Sequence, residues 1–264
     1  LTPQAVVRLS SAQVELLGTG QVRGLTTVQL AAMSGQISAM ETRDIEVLTS
    51  LQVSGLTTQV LVQLTTSQVV ALGSDQVRSL TAGQLAAMSG QISVMETRDI
   101  EALTTGQVSG LATQVLSRLE TAQVMALGSD QVRSLGVSQL AVFSSKQWNA
   151  IETVDIEALS SAQAPQFGSG QLRMLASNQV MALTPANLKL MTGNIAQLSS
   201  EQVGVLVGVQ VGALSAGQLS LFGSEQLRAI ATEVLVGLTT LQVSGLTTQA
   251  VVRLSSAQVE LLGT

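Results

Sequence analysis

The sequence contains no cysteine, no histidine and no tyrosine. The absence of cysteine and histidine excludes thiol nucleophiles, disulfide bonds, imidazole bases and metal sites built from sulfur and imidazole ligands. Aromatic residues make up 2% of the chain, and the acidic residues recur in identical copies rather than as the single carboxylate pair of a glycosidase. We therefore predict that the protein is not an enzyme, has no catalytic residue and binds no cofactor.

Charged residues are also scarce, at 11% of the chain, and the formal net charge is −5. The arginines are spread singly from Arg8 to Arg253, and the lysines are Lys146 and Lys189. Nucleic acids and anionic membrane surfaces select clustered basic residues, so we predict neither as a partner. The most apolar window, 203–222, is interrupted by glutamine, serine and glycine, which argues against a membrane span of about 20 apolar residues.

An eight-residue repeat dominates the sequence, as in TTSQVVAL at 65–72 and GSDQVRSL at 73–80. Each octad begins with serine or threonine and has glutamine at position 4, an aliphatic residue at position 5 and a large apolar anchor at position 8. The anchors run from Leu1 to Leu262 and bound 33 units. Three units are one residue short, at 34–40, 89–95 and 192–198. Such self-similarity is the signature of a repeat architecture.

A longer period of 55 residues, or seven octads with one short, lies above the octad. GSDQVRSL occurs at 73 and 128, and ETRDIE occurs at 41 and 96. The array is irregular near 144–167, after which the related GSGQLRML follows at 168, and the tail 246–264 nearly copies 1–19. We interpret residues 1–264 as one continuous repeat array and expect it to be a segment of a longer chain.

The octad predicts one very short helix per unit. Serine or threonine at position 1 with glutamine at position 4 has the spacing of a helix capping box. Pro3 and Pro185 stand at position 2, the first helical position, where proline is preferred, whereas Pro165 at position 6 should disrupt its helix. A continuous helix would rotate each anchor by about 80° per octad. We therefore predict an all-α solenoid, a superhelix of helices of about five to seven residues stabilised by stacking.

The 55-residue period predicts the size of one superhelical turn. In that arrangement Val77 stacks over Val132, and Ile45 stacks over Ile100 and Ile156. A β-solenoid is the structural alternative, because valine, threonine and glycine permit strands, although the octad lacks the alternation with period 2 that strands prefer.

Acidic residues in three equivalent units would align on one side if turns of 55 residues stack. Carboxylate clusters can bind Ca²⁺, which takes six to eight oxygen ligands, and the alternative is a solvated face of acids near helix N-termini. Arg43 and Arg98 can neutralise these acids, and no calcium-binding loop is present, so we assign no metal site. The candidate calcium ligands are Glu41, Asp44, Glu46, Glu96, Asp99, Glu101, Glu152, Asp155 and Glu157.

Recurring arginines and the single tryptophan are the candidate interaction residues. A row of arginines would bind an anionic partner or keep one face of the solenoid solvated. Trp148 replaces the aliphatic residue at position 5, where it either fills the core or anchors a contact. The near-uniform glutamine at position 4 is explained by capping. The arginines are Arg23, Arg78, Arg133, Arg173 and Arg228.

Octads such as LTTSQVVAL and LTTGQVSGL resemble tandem segments of very long, adhesin-like surface or secreted proteins of bacteria. The resemblance implies a structural or adhesive role outside the bacterial cell. We predict a non-enzymatic fibre, stalk or adhesin segment that associates end to end, with Thr264 followed by the first octads of a neighbouring copy. The alternative function is a solenoid scaffold that binds a protein or an anionic partner.

Overall fold

The computed structural model describes residues 2–246 and 248–262, and over these residues the chain is helical and contains no β-strand. The predicted all-α repeat solenoid is confirmed, and the β-solenoid alternative is wrong. The α-helices are four to seven residues long, slightly shorter at the lower limit than predicted. The chain forms two compact units, Leu1–Leu135 and Gly136–Thr264, which meet in sequence at a boundary between two octads.

The helices follow one another at octad spacing. In the first unit α1 to α15 are Pro3–Val6, Ser11–Glu15, Thr19–Arg23, Thr27–Ala32, Thr42–Glu46, Ser50–Ser54, Thr58–Leu61, Thr66–Val70, Ser74–Ser79, Ala82–Ala87, Thr97–Ala102, Thr105–Ser109, Thr113–Leu116, Thr121–Met125 and Ser129–Ser134. In the second unit α16 to α29 are Val137–Leu140, Ser145–Ala150, Thr153–Glu157, Ser169–Met174, Ser177–Ala182, Pro185–Leu190, Ser200–Gly204, Gly208–Ala213, Ala216–Ser220, Ser224–Ala229, Thr232–Leu235, Thr240–Ser244, Thr248–Val251 and Ser256–Leu262. Short 3₁₀ helices span Ile37–Ala39, Met88–Gly90, Ile92–Val94, Ala164–Gln166 and Asn194–Gln197.

The 3₁₀ helices occur where the octad is short or contains an internal proline. Ile37–Ala39, Ile92–Val94 and Asn194–Gln197 each lie in one of the three short units. A unit with one residue fewer is accommodated by the tighter 3₁₀ turn. Ala164–Gln166 contains Pro165, which confirms that this proline interrupts the α-helix of its octad.

Each octad turns at an extended residue that also caps the next helix. Thr104, for example, has φ −72° and ψ 155°. Its hydroxyl accepts a hydrogen bond from the Gln107 amide at 3.1 Å, and Gln107 Oε1 accepts one from the Thr104 amide at 2.8 Å. This is the predicted capping box. No described residue has a positive φ, so the corners need no glycine in the left-handed conformation.

Three to four octads complete one turn of the solenoid, which we call a coil. Each helix packs against the helix three octads away in sequence, as α6 does with α9 and α12 with α15. Hydrogen bonds reach one octad further back. Gln52 Nε2, for instance, donates to the carbonyl of Leu25 at 2.8 Å, across 27 residues of sequence. A period of 55 residues therefore spans two coils.

The predicted size of the turn was wrong. Val77 in α9 does not stack directly over Val132 in α15, because α9 packs against α6 and α11 while α15 packs against α12. Ile45 and Ile100 are likewise two coils apart, and Ile156 belongs to the second unit. The physical reason is the corner: an extended residue after each helix of four to seven residues reverses the chain within far fewer octads than seven.

Positions 5 and 8 form the core of each coil. In one octad Val77 is 0% exposed and Leu80 is 2% exposed. The phenylalanine anchors Phe143, Phe167 and Phe222 are buried as well. Burial of one such side chain stabilises a fold by about 1.5–3 kcal/mol, so stacking supplies the stability that an isolated helix of this length lacks. The anchor Leu1 and the side chain of the anchor Leu262 lie outside the described residues.

Glycine at position 7 permits close packing between coils. A Cβ added to Gly110 would lie 2.8 Å from the Cβ of Ala82, and one added to Gly55 would lie 2.5 Å from Cγ2 of Thr27. These residues belong to octads three apart, so the glycines set how closely two coils approach.

Substitution of Gly110 by alanine should therefore destabilise the first unit by about 1–3 kcal/mol, the usual cost of overpacking. Gly106 is the matched control, because it lies in the same octad and an added Cβ would meet nothing closer than 3.9 Å. Gly106→Ala should be neutral or stabilising, since alanine favours helix. Urea denaturation followed by circular dichroism measures both, and equal midpoints for the two variants would contradict the packing argument.

Candidate functional site

Glutamine at position 4 joins each coil to an earlier one. While Gln107 Oε1 caps its own helix, its Nε2 donates to the carbonyls of Val77 at 2.9 Å and Leu80 at 2.6 Å. Val77 and Leu80 occupy positions 5 and 8 of the octad four units earlier. Carbonyls at a helix C-terminus have no partner within the helix. The amide therefore satisfies a helix start and a helix end simultaneously, and we call this contact the inter-coil amide bond.

The inter-coil amide bond recurs along both units. The position-8 carbonyls accept it at distances from 2.6 Å to 3.5 Å. Asparagine makes the same bond from position 4 in two octads, as in Asn187 Nδ2 to the Leu159 carbonyl at 2.9 Å and Asn194 Nδ2 to the Phe167 carbonyl at 2.7 Å. The other glutamines that make it are Gln52, Gln68, Gln76, Gln84, Gln123, Gln131, Gln179, Gln202, Gln210, Gln218, Gln226, Gln242 and Gln258.

Two valines at position 4 mark places where no donor is needed. Val60 lies four octads after Met33, whose carbonyl already accepts the amide of Gln36 at 2.9 Å in the following short unit. Val115 stands in the same relation to Met88, whose carbonyl accepts a local amide at 2.8 Å. Where a 3₁₀ turn satisfies the carbonyl locally, position 4 is therefore free to be apolar and buried.

The recurring arginines attach each coil to the next one. Arg78 Nε donates to the carbonyl of Ala102 at 3.2 Å, and Arg228 Nε donates to the carbonyl of Arg253 at 3.1 Å. Arg23 and Arg173 make the corresponding contacts 24 residues ahead, at 3.4 Å. All five predicted arginines, Arg133 included, are exposed. Because the octads of Arg23 and Arg78 are two coils apart, they do not form a row of adjacent guanidinium groups.

The acidic units separate into exposed glutamates and buried aspartates. Glu96 pairs with Arg98 at 2.6 Å, Glu41 pairs with Arg43, and these four side chains are partly exposed. The described residues contain no group of three or more acidic side chains placed to hold a metal ion. The calcium alternative required carboxylates aligned by a 55-residue turn, and the coil removes that alignment. The aspartates Asp44, Asp99 and Asp155 are 0%, 0% and 2% exposed.

Trp148 is a core residue of the second unit. It is fully buried and makes edge contacts with Phe143, at a centroid distance of 6.1 Å, and with Phe167, at 5.3 Å. The ring therefore fills the core beside the octad interrupted by Pro165, and its alternative role as a surface contact anchor does not fit its position.

Two equivalent polar grooves lie on the first unit. One is lined by Glu46, Thr49, Ser50 and Asp75, together with Arg23. The second is lined by the residues 55 positions later, namely Glu101, Thr104, Thr105 and Asp130. Each groove runs between octads of adjacent coils. Acidic side chains outnumber basic ones in both grooves.

The first coil and the last coil expose complementary groups. Gln13 and Gln21 are exposed, and the Nε2 of each has no acceptor among the described residues. In the last coil Val259, at position 5, is 45% exposed, whereas this position is otherwise buried. The position-8 carbonyls of Leu246 and Leu254 receive no side-chain donor from the part of the chain that the structure describes. One side thus offers amide donors, and the other offers carbonyl acceptors beside apolar core.

Comparison with known proteins supports the repeat architecture. Residues 148–185 match the family model described as the ALTTAQ repeat. No curated protein matches the chain. The matched segment includes Trp148, the interruption at Pro165 and the capping proline Pro185, and it indicates a repeat protein. Within the described residues no helix is long and apolar enough to cross a membrane.

Proposed function

We propose that the protein is a non-enzymatic structural repeat array that forms part of a fibre, stalk or adhesin outside the bacterial cell. Uniform coils joined by inter-coil amide bonds supply length and stiffness rather than a reactive centre. The observation that carries the proposal is the inter-coil amide bond, because it lets coil follow coil without any residue outside the octad pattern. The resemblance of the octads to bacterial surface proteins supports the location.

End-to-end association follows from the same bond. Gln13 and Gln21 offer amide donors, and the carbonyls of Leu246 and Leu254 offer acceptors of the kind that glutamine binds within the chain. These surfaces differ from one another, so their contact is heterologous and builds open assemblies rather than closed dimers. Arrays that lack polar capping repeats also expose apolar core.

We expect Gln13→Glu combined with Gln21→Glu to abolish concentration-dependent assembly of the 264-residue chain. Glutamate keeps the oxygen that caps Ser10 or Gly18, but it removes the Nε2 donor and places charge in the contact. Sedimentation velocity and electron microscopy at increasing concentration are the measurements.

Gln59→Glu combined with Gln63→Glu provides the charge-matched control, because both residues are exposed and neither occupies position 4. The control should assemble like the parent chain. A parent chain that stays monomeric at the highest attainable concentration would sink the end-to-end assembly.

A binding scaffold is the second candidate function, and the repeated polar groove favours it. The excess of acidic side chains suits a basic segment of a protein partner better than an anionic partner. Replacing Glu46, Asp75, Glu101 and Asp130 by their amides should weaken capture of a lysine-rich peptide and remove its salt dependence, measured by fluorescence anisotropy. Unchanged affinity would leave the grooves without a role in binding.

A further inference from the structure

Asp44 and Asp99 occupy the position from which glutamine makes the inter-coil amide bond. Both side chains are 0% exposed. Neither oxygen of Asp44 has a hydrogen-bond partner, and Asp99 Oδ2 also has none, although Oδ1 of Asp99 accepts from the Ser74 hydroxyl at 2.8 Å. A buried polar atom without a partner costs about 1–3 kcal/mol, so these oxygens require an explanation.

The carbonyls that such a bond would reach are also without a donor. Four octads before Asp44 the position-8 residue is Leu17, and four octads before Asp99 it is Leu72. No donor to either carbonyl occurs among the described residues, whereas the equivalent Leu80 carbonyl receives Gln107 Nε2 at 2.6 Å. An unpartnered acceptor and an unpartnered carboxyl therefore coincide at the same two junctions.

A carboxylate cannot make this bond, because an ionised aspartate only accepts hydrogen bonds. A protonated carboxyl carries one O–H donor. Its length suffices, since Asn187, whose side chain has the same length, reaches the Leu159 carbonyl at 2.9 Å.

The surrounding charges do not supply a buried counterion. Beside Asp44 lie Arg43 and Glu41 of its own octad, which pair with each other on the surface. The helices packed against α5 are α3, which contains Arg23, and α8, which has no charged residue. Arg23 directs its Nε to the Val47 carbonyl.

The environment of Asp99 is similar. Arg98 pairs with Glu96 at 2.6 Å and stays 3.9 Å from Asp99 Oδ1. The packed helices are α9, which contains Asp75 and Arg78, and α14, which is capped by Glu120. Arg78 directs its Nε to the Ala102 carbonyl.

We propose that Asp44 and Asp99 are proton-binding sites of the folded chain, and that each neutral carboxyl donates its proton to the position-8 carbonyl four octads earlier. The proton thereby replaces the glutamine amide, and two junctions between coils depend on pH. No atom is transferred beyond this proton, which solvent supplies at acid pH.

Burial raises the pKa of both aspartates above the ordinary value of 3.8, more than the neighbouring arginines lower it. The folded chain therefore binds more protons than the unfolded chain in the window that opens at 3.8 and extends to the raised value. By linkage, the contribution to stability is fully present below this window and is lost as the pH rises through it.

The test compares urea unfolding of the parent chain with that of Asp44→Asn combined with Asp99→Asn across this pH range. Asparagine donates at any pH, as Asn187 and Asn194 do. In the parent, the folded-to-unfolded ratio should fall by up to about tenfold per pH unit for each aspartate, relative to the variant. Asp75→Asn combined with Asp130→Asn, two exposed carboxyls in the same unit, should keep the pH dependence of the parent.

A direct readout does not require the variant to fold. Infrared spectroscopy of the folded parent should contain a protonated carboxyl band at a pH above 3.8, and Asn substitution should remove it. Absence of that band, or the same pH dependence in parent and asparagine variant, would overturn the proposal.

Discussion

Replacing Gln107 by glutamate should destabilise the first unit by about 3–5 kcal/mol at neutral pH, the usual cost of an uncompensated buried charge. Glutamate has the shape of glutamine and retains the oxygen that accepts the Thr104 amide. It loses the donor to the carbonyls of Val77 and Leu80, which lie 2.9 Å and 2.6 Å from Nε2. The change therefore replaces one inter-coil amide bond by repulsion between a carboxylate and two carbonyl oxygens.

Urea denaturation at pH 7 measures this loss, and hydrogen exchange locates it at the amides of α9 and α12. Gln114→Glu is the control, because Gln114 lies at position 3 of the next octad and is exposed, so the same change of charge should alter the free energy of unfolding by less than about 0.5 kcal/mol. A Gln107 variant as stable as this control would mean that capping alone accounts for position 4.

Replacing Trp148 by alanine should destabilise the second unit by a comparable amount, about 3–5 kcal/mol. The ring is fully buried and lies edge-on to Phe143 and Phe167, with interplanar angles of 66° and 80°. Its removal leaves a cavity between octads that 3₁₀ geometry at Pro165 has already shortened, so collapse of the surroundings recovers little of the lost contact.

Two further substitutions separate packing from polarity. Trp148→Phe should cost less, because it keeps an aromatic edge and removes an Nε1–H that has no hydrogen-bond partner among the described residues. Val154→Ala, at a side chain that is 56% exposed, should leave the free energy of unfolding nearly unchanged. Thermal and urea denaturation monitored by circular dichroism rank the variants, and a Trp148→Ala variant as stable as Val154→Ala would refute a core role.

Local chemistry explains why the octad helices could be predicted from the sequence. The spacing from Thr104 to Gln107 encodes the cap, Pro185 marks a first helical position, and Pro165 marks the interruption, all within single octads. The size of the coil could not be predicted in this way. It depends on how extended corners add up and on bonds such as that from Gln52 to Leu25, which no local pattern contains.

The second role of position 4 left one signal that the capping interpretation did not use. A capping box accepts glutamate as readily as glutamine, yet glutamate never occupies position 4 in this chain. That selection against an acceptor-only side chain points to a required donor. The same reasoning would have placed Asp44 and Asp99 at buried junctions, rather than on the solvated face that their proximity to helix N-termini suggested.

The reach of the inter-coil amide bond has a consequence for synthesis. Each bond runs from a glutamine or asparagine to a carbonyl 27 to 31 residues nearer the N-terminus. An emerging octad thus finds its acceptors already made, and it waits for nothing that the ribosome has yet to add. The entropy of closing that loop is the same for the tenth coil as for the second, so the time needed to place each new coil is independent of how many precede it.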